Sequence, residues 1–139
     1  MYKNKPIIGA ISVPYLNELY SACIGLGSFC NDSELKVSNP SNLSDSLLVT
    51  GFSYDRFETE DNNYAEFCYL THKTRGVRRG GAAAVDLAFV AAGKVDGYWE
   101  RGLEVWDLAA ARSHTSNPLS QYPSTLPVSY THLTLPTKA

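Results

Sequence analysis

The spacing of apolar positions along this chain switches between a two-residue and a three-to-four-residue period, and each switch marks an element. Pro6 to Tyr15 is rich in Ile and Val with small residues between, and Glu18 to Ile24 follows a short polar break, which predicts a β-hairpin. Gly25-Leu26-Gly27 and Asn31-Asp32 read as turn residues, with a short strand over Glu34 to Val37. Ser46 to Thr50 reads as a buried strand ending at Gly51. Tyr64, Phe67, Cys68 and Thr71 then recur at helical spacing, predicting an amphipathic helix over Glu60 to Thr74 capped by Thr59 or Asp61. Val77 to Arg79 predicts a strand, Ala82 to Ala92 an alanine-rich helix closed by Gly93, Val95 to Glu100 a strand, and Trp106 to Ala111 the start of a third helix. Alternating strands and helices with hairpin connections imply a layered α/β or α+β architecture with a mixed sheet.

From Arg112 the pattern stops. Half of Arg112–Ala139 is Ser, Thr or Pro, its only full charges are Arg112 and Lys138, and repeated prolines forbid continuation of the helix. The expected division is a partial domain over residues 1–111 and a disordered tail over 112–139. Val128–Thr137 also looks like translated sequencing-adapter read-through, so the tail is read as sequence that is not native.

Composition narrows the class of function. Of 139 residues, 44% are hydrophobic, enough for one core. The formal charge of −2, from 12 basic and 14 acidic residues, lacks the basic surplus of a nucleic-acid binder, and Arg75, Arg78 and Arg79 are too few for a nucleic-acid track. No run has the length of a membrane span and no cleavage pattern follows Met1, which implies a soluble cytoplasmic protein. Cys23, Cys30 and Cys68 lack metal-ligand spacing and read as reduced, partly buried thiols.

Candidate chemistry concentrates between Arg78 and Ala110. Asp107 opens a helix, so it is either a first-turn aspartate or a carboxylate ligand for Mg²⁺, a hard cation that takes one or two protein carboxylates and keeps positions for water and phosphate oxygens. Arg78-Arg79-Gly80-Gly81 precedes the alanine-rich helix. That places either an anion-binding helix start or a plain strand-to-helix turn there. Glu100, seven residues before Asp107, is close enough to share a pocket with it or is a surface carboxylate. Asp86 and Asp96 read as capping or solvated residues, His72 has no catalytic partner, and the aromatics Tyr64, Phe67, Phe89, Tyr98, Trp99 and Trp106 read as packing.

At these residues the chain closely resembles the inositol monophosphatase family of Mg²⁺-dependent sugar-phosphate phosphatases. The resemblance runs over about residues 6–110 and is carried by Gly25-Leu26-Gly27-Ser28-Phe29-Cys30-Asn31, by Leu47–Arg56, and by Trp106-Asp107-Leu108-Ala109-Ala110. It implies an αβαβα sandwich of which this chain supplies most of the C-terminal half. It also implies that Asp107 binds metal and a substrate hydroxyl, that Glu100 hydrogen-bonds the polyol, and that Gly81, Ala82 and Ala83 line the substrate pocket. The family's Asp-Pro-x-Asp-Gly-Thr segment and an earlier Glu, which supply most metal ligands, have no counterpart in the sequence. Ala111 and Asp32 stand where glycine is usual, and the sequence reads as truncated at both ends.

The function this implies is a Mg²⁺-dependent phosphomonoesterase acting on inositol 1-phosphate or a related sugar or polyol phosphate through metal-activated water, inactive as this fragment. Histidinol-phosphate, fructose-bisphosphate and adenosine 3′,5′-bisphosphate phosphatases are the alternatives within that class. A non-catalytic module that binds a phosphorylated ligand or a protein through Arg78 and the Gly80-Gly81 helix start is the alternative outside it. The expected partner is a small phosphorylated polyol, with no nucleic acid or membrane, and full-length relatives are expected to form homodimers.

Overall fold

A computed structural model describes residues 7–109. Ile8–Val13 (β1) and Glu18–Cys23 (β2) form the expected antiparallel hairpin, with Ile11 opposite Tyr20. A single 3₁₀ turn over Pro14–Leu16 connects them, closed by Asn17 in the left-handed region. The expected turns form at Gly25-Leu26 and at Asn31-Asp32, and the residues between them fold as a strand, Gly27–Cys30 (β3), which pairs with β2 and with Ser33–Glu34 (β4) to complete a four-stranded antiparallel sheet in the order β1-β2-β3-β4. β4 is therefore shorter than the strand expected over Glu34 to Val37, and it starts one residue earlier. Alternation sets the faces of this sheet: Ile11, Tyr20 and Ala22 are buried, while Ile8, Ala10, Ser12 and Leu19 look outward.

The second sheet is parallel and three-stranded. Leu47–Thr50 (β5) lies between Gly76–Arg78 (β6) and Gly97–Trp99 (β7), in the order β6-β5-β7. Helix Tyr64–Lys73 (α1) joins β5 to β6, and helix Ala83–Ala91 (α2) joins β6 to β7. Parallel and antiparallel pairings are thus carried by two separate sheets, stacked with helices in layers. Adjacent residues of β5 separate the layers: Leu48 packs with Leu70 of α1 and Trp99, whereas Val49 packs with Leu87, Ala88 and Val90 of α2, Tyr98, and Ile11 and Tyr20 of the antiparallel sheet. The small side chains of α2 let it lie between both sheets, with Ala88 and Ala91 buried.

The start of α1 differs from expectation. Thr59 Oγ1 accepts the Asp61 N–H and Asn62 Oδ1 accepts the Tyr64 N–H, while Asn63 turns into the left-handed region and sends its amide inward. Asp86, expected on a helix surface, is buried, and Asp96 accepts the Leu47 N–H at 2.6 Å, fixing the entry to β5. Tyr98 and Trp99 are core residues as expected, but Trp106 is exposed. The three cysteines are free thiols, Cys23 and Cys30 half-buried and Cys68 exposed. Val105–Ala109 forms a short third helix (α3), packed through Leu108 against the α2 layer. Ala110 and Ala111, and the tail over 112–139, lie outside the described residues.

Candidate active site

Each strand of the parallel sheet delivers one segment of the candidate site from its C-terminal end, the edge at which open α/β sheets place ligands. Gly51 and Phe52 follow β5, Arg79 to Ala82 follow β6, and Glu100 to Glu104 follow β7. The register Val49 to Tyr98 and Thr50 to Trp99 brings the first and last of these segments side by side.

Glu100 is half-buried and accepts the phenolic O–H of Tyr98 at 2.5 Å. Its carboxylate lies against the Cα of Gly51, where any side chain would overlap it. Burial pushes the Glu100 carboxyl above its ordinary range; the Tyr98 hydrogen bond opposes this, Asp107 adds to it by repulsion, and Arg79 opposes it by attraction. Asp86 presents a parallel case one layer away. Only 3% exposed, it lies beneath Gly80, where a Cβ would come within 2.8 Å of its Cγ, and burial together with the charge of Glu100 raises its carboxyl to about 6. Two glycines in the site loops thus make room for two carboxyl groups.

Asp107 stands third in α3, and its Oδ2 accepts the backbone N–H of Glu104 at 3.0 Å, the return half of a capping box. The first-turn role is therefore real. It leaves room for a second one, because an ionised carboxylate offers about four lone-pair sites. Asp107 fits a hard cation as one ligand, but among the described residues no group of three or more His, Cys, Asp and Glu side chains could hold a metal ion.

Gly81, Ala82 and Ala83 enter α2. Gly81 has φ of +93° with open space where a side chain would stand, Ala82 is the N-cap in extended conformation, and no side chain caps the helix. The structure brings Glu100 within electrostatic reach of Asp107 and of Asp86, which lies beneath Gly80. It separates the arginines: Arg78 folds back to donate to the Val77 carbonyl, whereas Arg79 lies 5.5 Å from the centroid of the Phe52 ring.

Behind the site, Asn63 ties the strand ends together. It donates to Thr50 Oγ1 at 2.9 Å and to the Gly51 carbonyl at 2.7 Å, and accepts the Trp99 indole N–H at 2.5 Å, all buried. Arg101 pairs with Asp61 and Glu66, binding the segment after β7 to the start of α1. Neither Asn63 nor the depth of Asp86 carries a signal in local sequence, because Asn63 bonds Thr50, Gly51 and Trp99 across 12 to 36 residues and Asp86 is buried by the packing of α2 between the two sheets. No helix among the described residues is long and apolar enough to cross a membrane.

Residues 1–113 match the family model described as "Inositol monophosphatase family". Over 105 residues the chain is 55% identical to the inositol-1-monophosphatase of Synechocystis sp., covering 76% of this chain and 37% of that protein. It is 39% identical over 108 residues to the Nus factor SuhB of Pasteurella multocida, covering 78% of this chain and 40% of that protein. The solved inositol monophosphatase of Anabaena (Nostoc) sp. superposes with a TM-score of 0.75 at 60% identity, over 77% of this chain and 42% of that one. The fold is that of the inositol monophosphatase family, and this chain belongs to that family. It spans less than half the length of these relatives.

Proposed function

We propose that the chain carries the substrate-facing part of a cytoplasmic, Mg²⁺-dependent phosphomonoesterase acting on inositol 1-phosphate or a related sugar or polyol phosphate. The observation that carries this reading is the position of Glu100: a half-buried acceptor bonded by Tyr98, lying against Gly51, with Asp107 and Arg79 close enough to act on its charge. A polyol hydroxyl suits such an acceptor, since a carboxylate held in a partly desolvated place gains more from a hydroxyl donor than one in water. Gly81, with nothing within 4 Å of its absent side chain, lets a ligand approach the backbone, and Ala82 and Ala83 present N–H groups at the start of α2.

Asp107 is the residue that would hold Mg²⁺. The cation, when bound, supplies charge neutralisation at the phosphate and an activated water. One carboxylate does not assemble that chemistry, so the chain alone is read as nearly inactive, and the homodimer expected of longer relatives is not required of it.

Calorimetry and phosphate release test the reading together. Inositol 1-phosphate should bind the chain in a Mg²⁺-dependent manner, weakened by Glu100→Gln and by Asp107→Asn. Phosphate release should stay far below an ordinary enzyme turnover of about 1 s⁻¹ or more. Absence of binding by the unaltered chain defeats the assignment, ordinary turnover defeats the claim of inactivity, and binding indifferent to Mg²⁺ favours a non-catalytic binding module.

A further inference from the structure

We propose that Arg79 is a specificity-determining residue of this site, a guanidinium shelved on Phe52 beside Glu100 that selects ligands bearing an anionic group next to a hydroxyl. The proposal rests on the phosphorylated-polyol reading of the site and names the cation that reads the anion. Three arginines stand in one short stretch, and the structure gives them different places. Arg75 uses its backbone N–H to bond the Ser46 carbonyl outside the site, and Arg78 returns its guanidinium to Val77 on β6. Arg79 leaves the C-terminal end of β6, is exposed, and makes no ion pair among the described residues.

The shelf beneath it is firm. Phe52 packs against Tyr64 at 4.9 Å and Phe67 at 5.7 Å between ring centroids, so the ring that receives Arg79 is held by two residues of α1. A guanidinium stacked on an aromatic face keeps its N–H edge available for bidentate contact with a phosphate. Phe52 follows Gly51, and the Cα of Gly51 touches the Glu100 carboxylate, so the cation and the hydroxyl acceptor are presented from one corner of the site. Their charges feel each other: Arg79 favours ionised Glu100, against the repulsion of Asp107. A ligand with a hydroxyl for Glu100 and an anionic group for Arg79 would satisfy both, while an uncharged polyol would leave the guanidinium in water.

The test titrates the full 139-residue chain, with Mg²⁺ at low salt, using myo-inositol 1-phosphate and uncharged myo-inositol as probes. Arg79→Gln should weaken inositol 1-phosphate binding about tenfold or more, the loss of a charge-assisted contact, and leave myo-inositol unaffected. Arg79→Lys, which keeps the charge without the planar fork, should fall between. Arg78→Gln should change neither probe by more than about twofold, because its guanidinium is engaged on β6. Arg79 is exposed, so these variants keep the fold. Equal affinity of Arg79→Gln and unaltered chain for inositol 1-phosphate overturns the proposal and leaves the polyol-phosphate reading standing. Equal weakening of both probes overturns it too, since Arg79 would then act on the scaffold. No binding of inositol 1-phosphate by the unaltered chain defeats the underlying reading and the proposal with it.

Discussion

Tyr98 and Glu100, two residues apart on the same side of the strand end, share a hydrogen bond of 2.5 Å in which the phenol donates and the carboxylate accepts. Tyr98 is fully buried, and burial with the nearby carboxylate drives its own ionisation far out of reach. The phenol is therefore a permanent donor that aims Glu100. Tyr98→Phe should raise the Glu100 pKa further, because the bond it removes is the force that lowers it most. The chain should lose on the order of 1–2 kcal/mol in urea unfolding, the loss of one largely buried hydrogen bond. Inositol 1-phosphate affinity should fall in the same variant; an unchanged affinity would show that Glu100 is aimed by something else.

Asp86 makes stability depend on pH in a direction opposite to that of a paired carboxylate. Its folded-state pKa is about 6 against an ordinary 3.8, so the folded chain holds a proton that the unfolded chain releases. The stability this confers is fully present below about pH 4 and is lost as pH rises through about 6. Asp86→Asn mimics the neutral acid and should flatten that slope. At pH 7.5 the variant should be the more stable by on the order of 2–3 kcal/mol, with the difference closing below pH 4. Urea midpoints measured across this range check it, and a variant less stable than the parent at pH 7.5 would show that ionised Asp86 is stabilised in the fold.

The elements were legible where a single period ran long enough. The β1–β2 hairpin, α2 and β7 fall close to where apolar spacing puts them, and the turn at Gly25-Leu26 forms as expected, but the strand β3 that follows it from Gly27 is not visible in the spacing. A sheet strand needs partners more than propensity, and β2 supplies them to Ser28 and Phe29. Within the candidate site, Glu100 and Asp107 stand out in the sequence through their places at a strand end and a helix start. Asp86 did not: its sequence neighbours Val85 and Leu87 suit any amphipathic helix, and only the insertion of α2 between two sheets buries its polar position. Arg79 and Arg78 are indistinguishable in sequence, since the direction each takes depends on whether the residue lies inside β6 or past its end.

Asn63 should prove the costliest single truncation behind the site. Its amide serves two acceptors and one donor, and none of the three is reached by water. Asn63→Ala would leave the Trp99 indole N–H unsatisfied in the core, a penalty of about 1–3 kcal/mol, and would take from the Gly51 carbonyl the shorter of its two hydrogen bonds. The expected loss is on the order of 2–4 kcal/mol of unfolding free energy, with a red shift of tryptophan emission as water reaches Trp99. Asn63→Asp should not rescue it, because a carboxylate has no hydrogen to give Thr50 or Gly51. Recovery of stability in that variant would mean the acceptor half of the amide alone holds the strand ends.

Gly51→Ala separates positioning from stability. The new Cβ would fall inside the Glu100 carboxylate, yet that carboxylate is the far end of a flexible side chain and can swing away. Gly51 does not use a left-handed backbone, so alanine is tolerated there and reduces the entropy of the unfolded chain, worth about 0.4–1 kcal/mol in its favour. Against this stands the loss of the Tyr98 bond, about 1–2 kcal/mol. The two nearly offset, so the urea midpoint should move little. Binding should not escape so lightly: Glu100 displaced from Tyr98 loses the position from which it accepts a polyol hydroxyl, and inositol 1-phosphate affinity should drop about tenfold, as for Glu100→Gln. Calorimetry on Gly51→Ala beside Glu100→Gln makes the comparison, and full affinity in the alanine variant would show that Glu100 does not depend on Gly51 for its position.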